Sequence, residues 1–215
     1  MERIINMFII DFDDTLLDTQ KFKRERMKAL LSLGVSEEIY WNSYSEARYD
    51  DENISTYCDK RHADVLHYKY GFVKEEVLDK LDEVNKKMSE ILFSEAFNFL
   101  EKLKQTGNSL VLLSLGEPSF QEFKVKLSGV DKYFDRLFFV DDTKEHVIGE
   151  LLEKTKDKNV WFIDNEIRQV HNMHKIYPKL RVVIKANSHI DKDKYEHARL
   201  PYFYNLIDVA EYVKN

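Results

Sequence analysis

Apolar positions along the chain follow two rhythms. Residues 4–10 are almost continuously apolar and open directly into Asp11-Phe12-Asp13-Asp14-Thr15, the pattern of a buried strand ending in a loop. Residues 19–95 then keep helical spacing. Met27, Leu30 and Leu31 precede a stop at Gly34, and Ser36 is placed to cap a helix carrying Ile39, Tyr40 and Tyr44. A third helix is expected over residues 55–70, ended by Gly71, and a fourth over 73–92. The fourth carries the stripe Val77, Leu81, Val84, Met88 and Ile91, which reads as core. No strand pattern interrupts this block.

From residue 96 helices and strands alternate. A helix facing inward through Phe97, Leu100 and Leu103 ends near Gly107, followed by a strand over 109–115 and a helix over 118–127. Strands are expected at 136–140, 159–163 and 180–185, with helices at 143–154 and 166–176. Strands separated by helices imply βαβ units and a parallel sheet. The first strand belongs in that sheet, so the expected fold is α/β and Rossmann-like. Residues 1–18 and 96–215 form its core domain, and the all-helical segment 19–95 is an insertion.

The chain has 215 residues, 43% hydrophobic and 33% charged, which excludes a disordered protein and allows a substantial core. Its net charge of −6 gives no reason to expect nucleic acid or an anionic membrane as the main partner. A lone cysteine, Cys58, excludes an internal disulfide and fits a reducing compartment. No apolar run is long enough to span a bilayer, and the opening MERIINMFII lacks a secretory cleavage pattern, so a cytoplasmic location is expected.

Candidate chemistry starts at the end of the first strand. In open α/β sheets the C-terminal strand edge is where ligands bind. Three carboxylates in four residues repel one another there, and a hard divalent cation such as Mg2+ resolves the repulsion. Asp11 and Asp13, two apart on extended backbone, can face one ligand. The run IIDFDDTLLDT resembles the first motif, hhhhDxDxT, of the haloacid dehalogenase (HAD) superfamily, with Asp11, Asp13 and Thr15 on its fixed positions. The resemblance implies a nucleophile at Asp11, a general acid/base at Asp13 and a helical cap over 19–95, and extends over the whole chain.

The remaining motifs follow in family order. LVLLSLG resembles the second, a strand ending in Ser114, whose hydroxyl and the Leu115 N–H would hold phosphate, with Gly116 allowing close approach. Lys144 lies where the third motif's lysine is expected, though Glu145 stands in place of a frequent proline; Lys124 and Lys126 are competitors. VWFIDNEIRQV resembles the fourth motif, with Asp164 and Asn165 as metal ligands. The common acidic pair is replaced here by Asp-Asn, a pair also carried by the RNA polymerase C-terminal-domain phosphatases of the same superfamily, which implies Asn165 as direct ligand and Asp164 as second contact; Gln169, further on, departs from the usual pattern.

The resemblance implies a Mg2+-dependent phosphatase acting on a small phosphorylated metabolite through an aspartyl-phosphate. A phosphomutase shares the covalent step. An Asp13 acid/base disfavours the dehalogenase branch, which does not need one. A receiver-like module or a catalytically weak phosphate-binding protein is the alternative from another class. The histidine pairs His62/His67 and His171/His174 lack a zinc-site frame. The basic run 21–26 reads as a solvated helix face, or as a lure for anionic substrate. Oligomeric state is not legible.

Overall fold

A computed structural model describes residues 6–48, 56–105, 107–155 and 159–214. Ile4, Ile5 and Ser55, expected in the first strand and third helix, lie outside these residues. Six strands form one sheet: β1 (Met7–Ile10), β2 (Ser109–Leu115), β3 (Arg136–Val140), β4 (Val160–Asp164), β5 (Arg181–Lys185) and β6 (Tyr202–Phe203). All pairings are parallel, in the order β3-β2-β1-β4-β5-β6. The chain runs outward from β1 through β2 to β3, then returns to β1's other side with β4. This reversal leaves a crevice beyond the C-terminal ends of β1, β2 and β4.

Alternate strand residues enter opposite faces, as the two-residue period requires. Phe8, Ile10, Leu110 and Leu112 join a core that includes α6 (Ala96–Lys104), α7 (Pro118–Ser128) and α11 (Leu206–Tyr212). Met7, Ile9, Val111 and Leu113 join the core on the other face, with α8 (Glu145–Lys154), α9 (Ile167–Ile176) and α10 (Lys192–Ala198). The expected parallel α/β architecture is the one observed.

Between β1 and α6 come α1 (Thr19–Leu31), α2 (Glu37–Ala47), α3 (Asp59–Tyr70), α4 (Lys74–Asn85) and the single turn α5 (Met88–Ile91). Ser36 caps α2 by accepting from Ile39 N, and Gly71 ends α3 in the left-handed region at φ 77°. The first four helices surround their own apolar cluster, including Leu30, Tyr40, Leu66, Val77 and Leu81. The segments leaving and re-entering the sheet layer lie side by side: Asp18 N donates to Ile91 O at 3.1 Å and Phe93 N to Leu16 O at 2.9 Å.

Several boundaries differ from the sequence reading. The expected helix over 73–92 breaks after Asn85, because its stripe serves two cores: Val77 and Leu81 face the helical cluster, while Met88 and Ile91 pack against the sheet layer. In α6 the inward face is Ala96, Phe99, Leu100 and Leu103, and Phe97 is exposed. Residues beyond 185, without a predicted element, form α10, β6 and α11; these are too short to show a clear period.

Inside the helical block Arg26 is buried at 1% exposure. Its guanidinium donates to Asn85 Oδ1 at 3.0 Å, to Tyr57 OH and to Asp59. His62 is buried beside it, with Ser43 Oγ 2.9 Å from Nε2 and Tyr57 OH 2.9 Å from Nδ1. Burial first, and the Arg26 charge second, push His62 down to about 3 from 6.5.

Between those two pH values the unfolded chain takes up a proton that the folded chain refuses. Stability therefore falls as pH drops below about 6.5, at roughly 1.4 kcal/mol per pH unit. Urea unfolding of the wild type and His62→Gln from pH 7 to 4.5 isolates this slope. The wild type is expected to lose stability relative to the variant by that amount; a pH-independent difference would contradict a neutral buried His62.

Candidate active site

Asp11 continues β1, its N–H donating to Ile163 O at 2.9 Å, so its carboxylate is fixed at the crevice floor with 5% exposure. Lys144, at the N-terminal boundary of α8 and 2% exposed, reaches across to it. Its Nζ donates to Asp11 Oδ1 at 2.5 Å and to Asp164 Oδ2, at the end of β4, at 2.7 Å. Burial alone would lower the Lys144 pKa, but Asp11 and Asp164 outweigh it and raise it, keeping the ammonium charged. Asp11 itself is pushed up to about 7: burial is the main cause, opposed by Lys144 and reinforced by Asp164 and Asp13.

The competing lysines have other partners. Lys124, 3% exposed on α7, places Nζ 2.6 and 2.7 Å from the two oxygens of Asp13. Lys126 pairs with Glu122 on the surface. Asp13 also accepts from Gln121 Nε2 at 3.0 Å. Burial raises its pKa, but Lys124 and Gln121 more than reverse this and hold it below the usual carboxylate value.

Gln121, which the sequence reading missed, joins two of the motifs. Its Oε1 accepts from Ser114 Oγ at 3.1 Å, while its Nε2 donates to Asp13 and to Leu115 O at 3.3 Å. Gly116 leaves room for it: with φ at 149°, an added Cβ would lie 2.3 Å from Gln121 Nε2. The available signal was spacing, since Gln121 and Lys124, three apart on a helix, share a face.

Thr15 is fully buried and its hydroxyl lies 3.4 Å from Asn165 Oδ1. Asp14, given no role from sequence, has φ 56° and binds back to Thr19 N, while its carbonyl accepts from Asn187 Nδ2 at 3.0 Å. Asn187 in turn accepts from buried Lys185, so the end of β5 braces the loop after β1. Both residues were missed because no motif marked that strand end.

Magnesium requires hard oxygen donors, and the site offers them in part. Asp11 Oδ2 is buried without a hydrogen-bond partner among the described residues. Asp11, Asp13 and Asp164 also outnumber the ammonium groups of Lys124 and Lys144, leaving the cluster short of positive charge. Asp11, the Asp13 backbone carbonyl and the Asn165 amide oxygen form a fitting donor set. No group of three His, Cys, Asp or Glu side chains suited to a metal occurs among the described residues, so a cation held here would need the carbonyl and amide as well. Asp164 is less available than expected, because its oxygens already accept from Lys144 and from Glu166 N.

A parallel sheet thus carries paired aspartates at its first strand end and a buried lysine joining the ends of two strands. The sequence profile of haloacid dehalogenase-like hydrolases matches residues 5–185, and the chain belongs to that family. No curated protein sequence matches the chain. Among solved structures, a haloacid dehalogenase-like hydrolase of Burkholderia xenovorans is similar at TM-score 0.72 and 18% identity, over 97% of this chain and 96% of that one. A protein assigned as a β-phosphoglucomutase of Thermotoga maritima gives 0.67 and 17%, over 98% and 99%. The HAD hydrolase YfnB of Bacillus subtilis gives 0.63 and 15%, over 99% and 100%. These likenesses establish the fold.

Removing a buried counter-charge leaves the other ions stranded, at a cost of about 3–5 kcal/mol. Lys144→Met is expected to lose that much stability in urea unfolding, whereas Lys126→Met, on the surface, changes it by no more than about 0.5 kcal/mol. Equal effects would contradict the buried position of Lys144 between Asp11 and Asp164.

Proposed function

We propose that the protein is a Mg2+-dependent phosphatase of small phosphomonoesters, with Asp11 as nucleophile. The observation that carries this reading is the Asp11 carboxylate, with Oδ1 held by Lys144 and Oδ2 buried without a hydrogen-bond partner. A buried carboxylate oxygen in that state calls for a polar or cationic partner. Asp11, the Asp13 carbonyl and Asn165 would hold a Mg2+ ion, which would supply charge neutralisation for the phosphate; the Bacillus subtilis relative is described as bound to magnesium.

Asp11 attacks phosphorus, the bond from phosphorus to the leaving oxygen breaks, and that oxygen takes a proton from Asp13. Water then gives a proton to Asp13 as its oxygen bonds to phosphorus, which releases phosphate and restores Asp11. Lys124 prepares Asp13 for both halves. In the resting pair it favours the carboxylate, and an arriving phosphate dianion competes for its ammonium and favours the acid. Ser114, the Leu115 N–H and Lys144 stabilise phosphate oxygens, and Thr15 orients Asn165. The helical block acts as a cap over residues 19–95.

Phosphate release from a panel of phosphomonoesters is expected to require Mg2+ and to vanish in Asp11→Asn. Ser114→Ala is expected to slow it by about 10²–10³-fold without abolishing it. Absence of release at millimolar Mg2+ from every ester would overturn the phosphatase reading. Transfer to a second hydroxyl without free phosphate would assign a mutase.

A further inference from the structure

Three polar side chains, Lys185, Asn187 and Tyr195, are buried behind the loop that follows β1, at 2%, 5% and 0% exposure. Burying an ammonium is costly, so where Lys185 sends its protons carries information. Its Nζ donates to Ala186 O at 3.0 Å and to Asn187 Oδ1 at 3.3 Å, and lies 4.1 Å from the Phe93 ring centroid. A lysine only donates, so it turns the amide oxygen of Asn187 toward itself. The amide nitrogen is thereby aimed at the Asp14 carbonyl, to which it donates at 3.0 Å. Tyr195 fixes the backbone of the same residue: its hydroxyl accepts from Asn187 N at 2.9 Å and donates to Asn187 O at 3.5 Å. Every polar group of Asn187 is engaged. Asn187 and Tyr195 also lie beyond residues 5–185, the part of the chain that the family profile matches.

The peptide that Asn187 holds belongs to a strained turn. Asp14 has φ 56°, a region that disfavours a residue with a Cβ, and its carboxylate follows directly on that of Asp13. Its φ sets the angle between two successive peptides. The Asp14–Thr15 peptide is held through its carbonyl by Asn187. The Asp13–Asp14 peptide has its N–H on Thr19 Oγ1 at 3.0 Å, and in a trans peptide the Asp13 carbonyl then points the opposite way. Release of the Asp14 carbonyl lets φ relax toward negative values, which swings the Asp13 carbonyl. That carbonyl is the backbone donor in the set that fits Mg2+.

We propose that Asn187, seated by Lys185 and Tyr195, is a positioning residue for the metal: it holds the Asp14 peptide so that the Asp13 carbonyl keeps one direction. The assignment rests on the metal donor set of the phosphatase reading. Asn187 adds no donor to that set and acts through the loop. Groups that orient metal ligands in this way typically account for about 10–100-fold in metal affinity.

The test titrates Mn2+, a hard stand-in for Mg2+ whose free ion is read by electron paramagnetic resonance, into wild type, Asn187→Ala and Asn108→Ala. Asn108 is a buried control of the same residue type at the opposite end of the sheet. It lies just before β2, accepting from Asn6 N at 3.1 Å and donating to Leu103 O at 3.2 Å. Both variants are expected to lose stability in urea, but only Asn187→Ala should bind Mn2+ more weakly, by about tenfold or more. Lys185→Met keeps the Asn187 donor but frees its oxygen to turn, and is expected to weaken binding by a smaller factor. That variant decides the matter if Asn187→Ala does not fold. With an ester, Asn187→Ala should need about tenfold more Mg2+ for half its maximal rate and recover kcat at saturating Mg2+. Wild-type affinity in Asn187→Ala, or an equal loss in Asn108→Ala, would overturn the inference, as would a wild type that binds no Mn2+. If the wild type binds Mn2+ but releases phosphate from no ester, the phosphatase reading fails, and the Mn2+ comparison still decides the role of Asn187.

Discussion

The site is organised by like charges brought together at strand ends. β1 and β4 are neighbours in the sheet, so Asp11 and Asp164 converge where each strand stops. Two buried carboxylates at that separation need a counter-charge, and Lys144 supplies it from the start of α8 while bonding to both. The same demand recurs one residue pair away, where Lys124 and Gln121 from α7 close on Asp13. Strand order, the βα turns and the placement of α7 and α8 all serve to bring these cations to the crevice. Asp11 Oδ2 is left over, buried without a hydrogen-bond partner among the described residues.

Much of this was legible in the chain because it is local. A strand followed by DxDxT, a later strand ending in serine and another ending in Asp-Asn can each be read within about ten residues. Their parallel order follows from the alternating helices. Pairings across the fold were harder to read. Lys124 and Lys144 were both candidates for the same place, and only the third dimension assigns one to Asp13 and the other to Asp11. Gln121 carried only a spacing signal, its place three residues before Lys124, and its bonds depend on the missing Cβ of Gly116. Lys185 ends an edge-proximal strand with no acidic signature and Asn187 follows it, yet together they hold the backbone at Asp14. The break after Asn85 was hidden because an unbroken apolar stripe does not reveal that it feeds two cores.

The helical block combines a core of its own with packing against the sheet layer through Phe22, Val84 and Tyr57. Its helices have their own apolar cluster, and Arg26, Asp59, Asn85 and Tyr57 fasten α1, α3 and α4 together from within. Its connections to the sheet layer are two adjacent segments bonded through Asp18, Ile91, Leu16 and Phe93. This unit places Lys23, Tyr44 and Arg48 on one cavity with Asp13.

Capture of the covalent intermediate bears most directly on Asp11 as nucleophile. The protein would be mixed with Mg2+ and its best phosphoester, quenched within one turnover, reduced with borohydride and digested. An aspartyl-phosphate at Asp11 is reduced to homoserine, and the account predicts that conversion in the peptide spanning residues 6–20, absent without ester. Turnover with an unmodified Asp11, or with the label on Asp13 or another carboxylate, would contradict it.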